Sequence, residues 1–157
     1  MAYNNYGNHN GSYGKPKGGY QSQNCQEEPN YTKDHPILAV WFMNGADAAL
    51  VKYAEQAGKD LAECGLTNSK IRSIYSEVKR IQMGTWEKNK SAFFMLKPKV
   101  AYAYGREKKN NNRGWKIFKE IFDEAVKYVN DDKSYDNFCN FMEAILAYHK
   151  ANGGKNN

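Results

Sequence analysis

A chain of 157 residues with 25% charged side chains and a net charge of +6 has the size of one domain, or of one domain and a tail. No run approaches the roughly 18–20 apolar residues of a membrane span; the longest, residues 37–43 (ILAVWFM), reads as a buried segment at best. Cys25, Cys64 and Cys139 lie far apart, which argues against a disulfide framework and a zinc site; with no apolar leader at the N-terminus, the reading is three reduced thiols in a cytoplasmic protein.

Residues 1–36 are dominated by Asn, Gly, Tyr, Gln and Ser and contain no Leu, Ile, Val or Phe. With no apolar side chains to offset conformational entropy, they read as a disordered tail. Its tyrosines and few lysines either brush nucleic acid by stacking or stay solvated.

From residue 37 the periodicity is helical. Leu50, Tyr53, Ala54, Ala57, Leu61 and Cys64 repeat at three and four, and Gly65 is placed to end that helix. Thr67 is placed to cap the next, whose apolar stripe is Ile71, Ile74, Tyr75, Val78 and Ile81. A third pattern runs through Phe93, Leu96, Val100, Ala103 and Tyr104, and residues 106–114 (REKKNNNRG) read as a polar loop. Phe118, Ile121, Phe122, Ala125 and Val129 form a strong stripe. A last helix turns Phe138, Phe141, Met142, Ile145 and Tyr148 or His149 inward. No segment of comparable length alternates with period two. The expected fold is all-α, a compact bundle of about five helices over residues 37–150, with 151–157 as a frayed end.

Signals for catalysis are absent. His9 lies in the tail, His35 precedes a proline, and His149 reads as a cation in the last turn of a helix rather than as a general base. Residues 130–132 (NDD) read as a turn and cap rather than a metal site. There is no phosphate loop, dinucleotide fingerprint or zinc-protease motif. The expectation is a protein that is not an enzyme and takes no cofactor or metal.

Charge says more. Residues 66–113 carry eight Lys and four Arg against three Glu, which is +9, so the whole excess sits in the middle third. A localised basic excess points to an anionic partner. On the helix after Thr67, Arg72, Ser76 and Lys79 align at i, i+4 and i+7 with Lys70, Ser73 and Arg80 alongside, and only Glu77 interrupts. A solvated face would mix signs and form i,i+4 pairs, so this one reads as a phosphate-contacting face. Residues 65–81 (GLTNSKIRSIYSEVKRI) also raise a helix-turn-helix reading, and hence a DNA-binding regulator. That match is partial, because Leu61 and Asp60 depart from what the motif wants.

In residues 96–106 (LKPKVAYAYGR), Pro98 disfavours helix at Lys97 and suits a helix start. Either one helix ends near Leu96 and another begins at Pro98, or a single helix kinks there. Backbone N–H groups after Pro98, flanked by Lys97 and Lys99, would make an anion site. Lys99, Tyr102 and Arg106 then share one face at i, i+3 and i+7, a cation, an aromatic and a cation, which suits two phosphates with a stacking or hydroxyl contact between them. The alternative is a kinked core helix with snorkelling lysines.

Three blocks in order, residues 65–81, residues 93–106 (FFMLKPKVAYAYGR) and residues 138–150 (FCNFMEAILAYHK), resemble the small helical subunit of type III-A CRISPR effector complexes, the Csm small subunit. The resemblance runs from about Asp34 to Lys150, and the Asn/Gly/Tyr tail has no counterpart in it. It implies a non-catalytic, all-helical subunit of an antiviral ribonucleoprotein. It also implies copies stacked as a minor filament beside the backbone subunits, the large polymerase-like signalling subunit, and the guide and target RNA. It further implies RNA contacts at Lys70 and Arg72 in the first block and at Lys97, Lys99, Tyr102 and Arg106 in the second. Lys79 and Arg80 join the set on the helical-face argument alone.

Overall fold

The computed structural model describes residues 29–107 and 113–154. Among these residues there is no strand. In chain order the helices are α1 (Tyr31–Asp34), α2 (Val40–Asn44), α3 (Ala48–Glu63), α4 (Asn68–Gln82), α5 (Trp86–Phe94), α6 (Leu96–Glu107), α7 (Arg113–Val126) and α8 (Asp132–Ala151). Five of them, α3, α4, α6, α7 and α8, have twelve residues or more. They are the five-helix bundle that the apolar periodicity predicts. No helix among the described residues is long and apolar enough to cross a membrane.

The longest helix, α8, is the element on which α2, α3 and α4 pack. It starts cleanly because Asp131 accepts from the Ser134 amide at 2.7 Å while the Ser134 hydroxyl accepts from the Asp131 amide, a reciprocal capping box. Its buried stripe holds Phe138, Phe141, Met142 and Ile145. Opposite, α3 buries Leu50, Ala54, Ala57 and Leu61. The two backbones meet closely at Gly58, where a Cβ would lie 2.6 Å from both the His149 nitrogen and the Tyr148 Cβ. Edge-to-face aromatic pairs fill the other side of α8: Phe93 on Tyr135, and Phe93 and Phe122 on Phe138, with centroids 5.3–5.6 Å apart.

α3 stops where expected. Gly65 takes φ +79°, and the amides of Gly65 and Leu66 return to the carbonyls of Ala62 and Leu61, each at 3.1 Å. Thr67 does sit at the N-cap of α4, but its side chain makes no capping bond; its hydroxyl lies 3.3 Å from that of Ser69.

Several expectations are corrected. The first 28 residues of the expected tail, including His9 and Cys25, lie outside the described residues. Its last part is structured: Tyr31 is buried, its amide donates to Glu120 at 2.8 Å and its hydroxyl to Asp60 at 2.7 Å. A buried tyrosine, held by one carboxylate at its amide and another at its hydroxyl, and the Asn30 cap hold this turn, which a search for Leu, Ile, Val and Phe passes over. Of the apolar run 37–43, Ile37, Trp41 and Phe42 are buried, whereas Leu38, Val40 and Met43 are exposed. Helix continues through Arg106 and Glu107 and resumes at Arg113, so the expected loop narrows to residues 108–112, outside the described part. At the expected frayed end, Gly154 is tied down. Its amide donates to the His149 carbonyl at 3.0 Å and its carbonyl accepts from Asn68 at 2.8 Å; residues 155–157 lie outside the described part.

Of the two residues offered as inward at the end of the last helix, His149 is the fully buried one, with Nε2 2.6 Å from the Leu66 carbonyl oxygen and Nδ1 3.0 Å from Asn68 Oδ1. The ring ties the end of α8 to the turn between α3 and α4, and the Gly65 turn is what brings the Leu66 carbonyl beneath it.

Candidate nucleic-acid interface

The basic middle third folds into two helices that face one another. α4 packs against α5, α6 and α8, and α6 also packs on α7. Between α4 and α6 lies a groove of about 660 Å³. α4 supplies Ser69, Lys70, Ser73, Ile74 and Glu77; α6 supplies Pro98, Lys99, Tyr102, Ala103, Arg106 and Glu107; Trp115 of α7 completes the lining. The apolar positions Leu96 and Val100 anchor α6 in the core. With a helical period, Lys99, Tyr102 and Arg106 must then face outward. Tyr102 is 70% exposed, an unusual amount for a tyrosine ring flanked by two cations.

Four of the eight residues singled out in the sequence therefore meet at one groove: Lys70, Lys99, Tyr102 and Arg106. The other four do not line it. Arg72 lines a separate groove between α4 and α8 with Tyr75, Leu146 and Lys150, and Lys79 reaches the same side, 3.6 Å from Glu143 of α8. Burial and Glu143 push the Tyr75 hydroxyl up to about 12. Arg80 pairs with Glu77 at 2.9 Å, and Lys97 is exposed outside the groove. Lys70 and Arg72 are two residues apart, roughly 200° around the axis of α4, so they fall on opposite flanks.

The helix-start anion site expected after Pro98 does not form. The break comes earlier, at Met95, so Pro98 sits inside the first turn of α6, where a missing N–H is harmless. The first amide beyond it, that of Lys99, already donates to the Met95 carbonyl at 3.4 Å. The cationic groups of this stretch are the side chains of Lys97, Lys99 and Arg106.

Sequence reasoning passed over Glu107, Ser69 and Trp115. Glu107 matters most: its carboxylate accepts from Lys70 at 2.6 Å and lies 3.9 Å from Arg106. Glu77, noted only as an interruption, lies between Arg80 at 2.9 Å and Lys99 at 3.6 Å. These cations hold both carboxyl groups below the ordinary glutamate value, Lys70 chiefly for Glu107 and Arg80 chiefly for Glu77. Extending the outward face of α6 by one residue beyond Arg106 is the signal that finds Glu107. The cations of these pairs remain open to solvent, and such pairs contribute little to stability.

The helix-turn-helix reading is not supported. In that motif the two helices form one packed unit with the second presented to a major groove. Here α3 packs chiefly on α8 and α7, and α4 on α8, α5 and α6.

Fold and groove together define an all-helical chain with a cation-lined, aromatic-bearing groove between α4 and α6. The Csm2 Type III-A family model matches residues 46–155. The chain belongs to this family, and it is a subunit of a type III-A CRISPR complex, which it forms with other subunits. No curated relative and no solved structure matches it.

Proposed function

We propose that this chain is a non-catalytic subunit that holds the sugar–phosphate backbone of guide and target RNA along the α4/α6 groove. The observation that carries the reading is the convergence of Lys70, Lys99 and Arg106 around the exposed ring of Tyr102. Each cation neutralises a phosphate and releases condensed counterions, which gives affinity without sequence preference. Tyr102 offers a stacking face or a hydroxyl to the nucleotide between them. Sequence recognition is left to pairing between guide and target. Lys97 and Arg80 extend the basic margin beyond the groove, and Arg72 and Lys79 offer a second, lesser margin toward α8. In this reading copies of the chain stack in a filament beside the backbone subunits and the polymerase-like subunit, and the assembly serves cytoplasmic antiviral defence.

The test is RNA binding by the Lys99→Ala/Arg106→Ala variant, titrated against salt with several unrelated RNAs. Removing two phosphate contacts should lower the log–log salt slope by roughly 1.4–1.8 and weaken all the RNAs about equally. Unchanged binding, loss confined to one sequence, or preference for one duplex DNA would each refute the reading.

A further inference from the structure

The groove contains its own anions. Glu107 meets Lys70 and Arg106, and Glu77 meets Lys99 and Arg80, so each carboxylate lies between two cations as a phosphate would. The carboxylates are also the inner partners. The Glu107 side chain is 16% exposed against 38% for Lys70 and 69% for Arg106; that of Glu77 is 34% exposed against 52% for Lys99 and 61% for Arg80. The cations stand outside, within reach of a polyanion, while the glutamates remain behind them.

Resting on the RNA-groove reading above, we infer that Glu77 and Glu107 are resident counter-ions that set the affinity of the groove. They occupy its cations when the subunit is unbound and oppose incoming phosphates. Arbitrary RNA is thereby held weakly, and retention comes from the many contacts of an assembled complex.

Two effects of the carboxylates have opposite sign. They align the cations in advance, which favours binding, and they place negative charge beside the phosphates, which opposes it. The cations are 38–69% exposed, and pairs to such solvent-facing side chains restrain them only weakly, so the alignment gain is small. A full negative charge about 6 Å from a phosphate in a water-like medium lowers affinity about threefold. Opposition therefore wins. Both carboxyl groups are held below their ordinary value by the cations, so they stay ionised throughout the neutral range.

The experiment measures binding of one unstructured RNA to the full chain and to Glu77→Gln, Glu107→Gln and the double variant, at about 50 mM and about 500 mM salt. Glu87→Gln is the control, since Glu87 pairs with Lys90 on α5 and does not line the groove. Expected is a gain of about threefold for each single variant and about tenfold for the double at low salt. The gain should fade at high salt as screening shortens its range, with no gain for Glu87→Gln. Thermal unfolding of each variant checks that the fold is kept. If the groove glutamine variants bind no better than the parent, the inference is overturned. It is overturned equally if Glu87→Gln gains as much, because net charge alone would then explain the effect. Should Lys99→Ala/Arg106→Ala still weaken binding in those cases, the RNA-groove reading survives; should it not, both fall.

Discussion

Gly58 tests the packing that fixes the whole bundle. It sits inside α3, and an added Cβ would meet the His149 nitrogen and Tyr148 Cβ at 2.6 Å and the Ile145 carbonyl oxygen at 2.8 Å. Those are backbone atoms and a Cβ of α8, with no flexible side-chain end to move aside. Restoring ordinary contact needs the two helices to part by roughly 1 Å, and a gap of that size forfeits a quarter to a half of each dispersion contact it opens. Overpacking of this severity costs about 3 kcal/mol, against about 1 kcal/mol gained from the higher helix propensity of alanine. Gly58→Ala should therefore destabilise the chain by about 2 kcal/mol. Urea unfolding would show a lower midpoint with an unchanged slope, and the melting temperature should drop by roughly 6–10 °C. The internal comparison is Gly105→Ala. Gly105 also lies within a helix, α6, but among the described residues nothing comes within 4 Å of its added Cβ. That variant should be more stable than the parent by about 0.5–1 kcal/mol. If both substitutions stabilise, α3 and α8 do not approach one another as described, and the reasoning fails.

Three further outcomes follow from particular contacts. His149→Leu removes the ring that meets Leu66 and Asn68 and leaves a buried carbonyl unpaired; denaturant unfolding should show a loss of about 1–3 kcal/mol. Cys139 is fully buried and its thiol is pushed up to about 11 by that burial, so a thiol reagent at pH 8 should modify it only after unfolding, which mass mapping of native and denatured samples would read. Asp131→Ala should lower the melting temperature at pH 7 by removing the α8 cap. The Asp131 carboxyl is held below its ordinary value by the side chain and amide of Ser134. Its contribution is therefore fully present above the unfolded-state value and lost as pH falls through the folded one, and melts at neutral and acid pH should show the gap to the parent closing only on the acid side.

Most of the bundle is legible in sequence because burial imposes a period, and a period of three and four needs no knowledge of partners. The main positions of the stripes on α3, α4, α7 and α8 are read from the period. Trp115 and Ile117 of α7 and Tyr135 and Cys139 of α8 are passed over, and Val129 falls beyond the end of α7. The stop at Gly65, with its left-handed turn, is read as well. What sequence does not carry is chemistry settled between distant segments. Tyr31 is ordered by Asp60 and Glu120, 29 and 89 residues away, and His149 by Leu66 and Asn68, over 80 residues away. No local pattern announces such pairings. Pro98 misleads for a different reason: a proline in the first turn is as comfortable as one at its first position, so it locates a helix start only to within a few residues.

The basic face shows the same division between local and non-local information, with a functional consequence. One-dimensional counting gives residues 66–113 an excess of +9 and a single interrupting glutamate on α4. Folding splits that excess over the two flanks of α4. On one flank it draws Lys79 to Glu143, and on the other it sets Glu77 and Glu107 within the α6 groove. The net positive charge on either flank is accordingly smaller than the formal count. If α4 acted as one uniform basic face, Arg72→Ala/Lys79→Ala and Lys99→Ala/Arg106→Ala would reduce the salt slope for RNA equally. With a groove on the α6 flank, the second pair should reduce it more. The ratio of those two slopes therefore measures the geometry itself, independently of how tightly any one RNA binds.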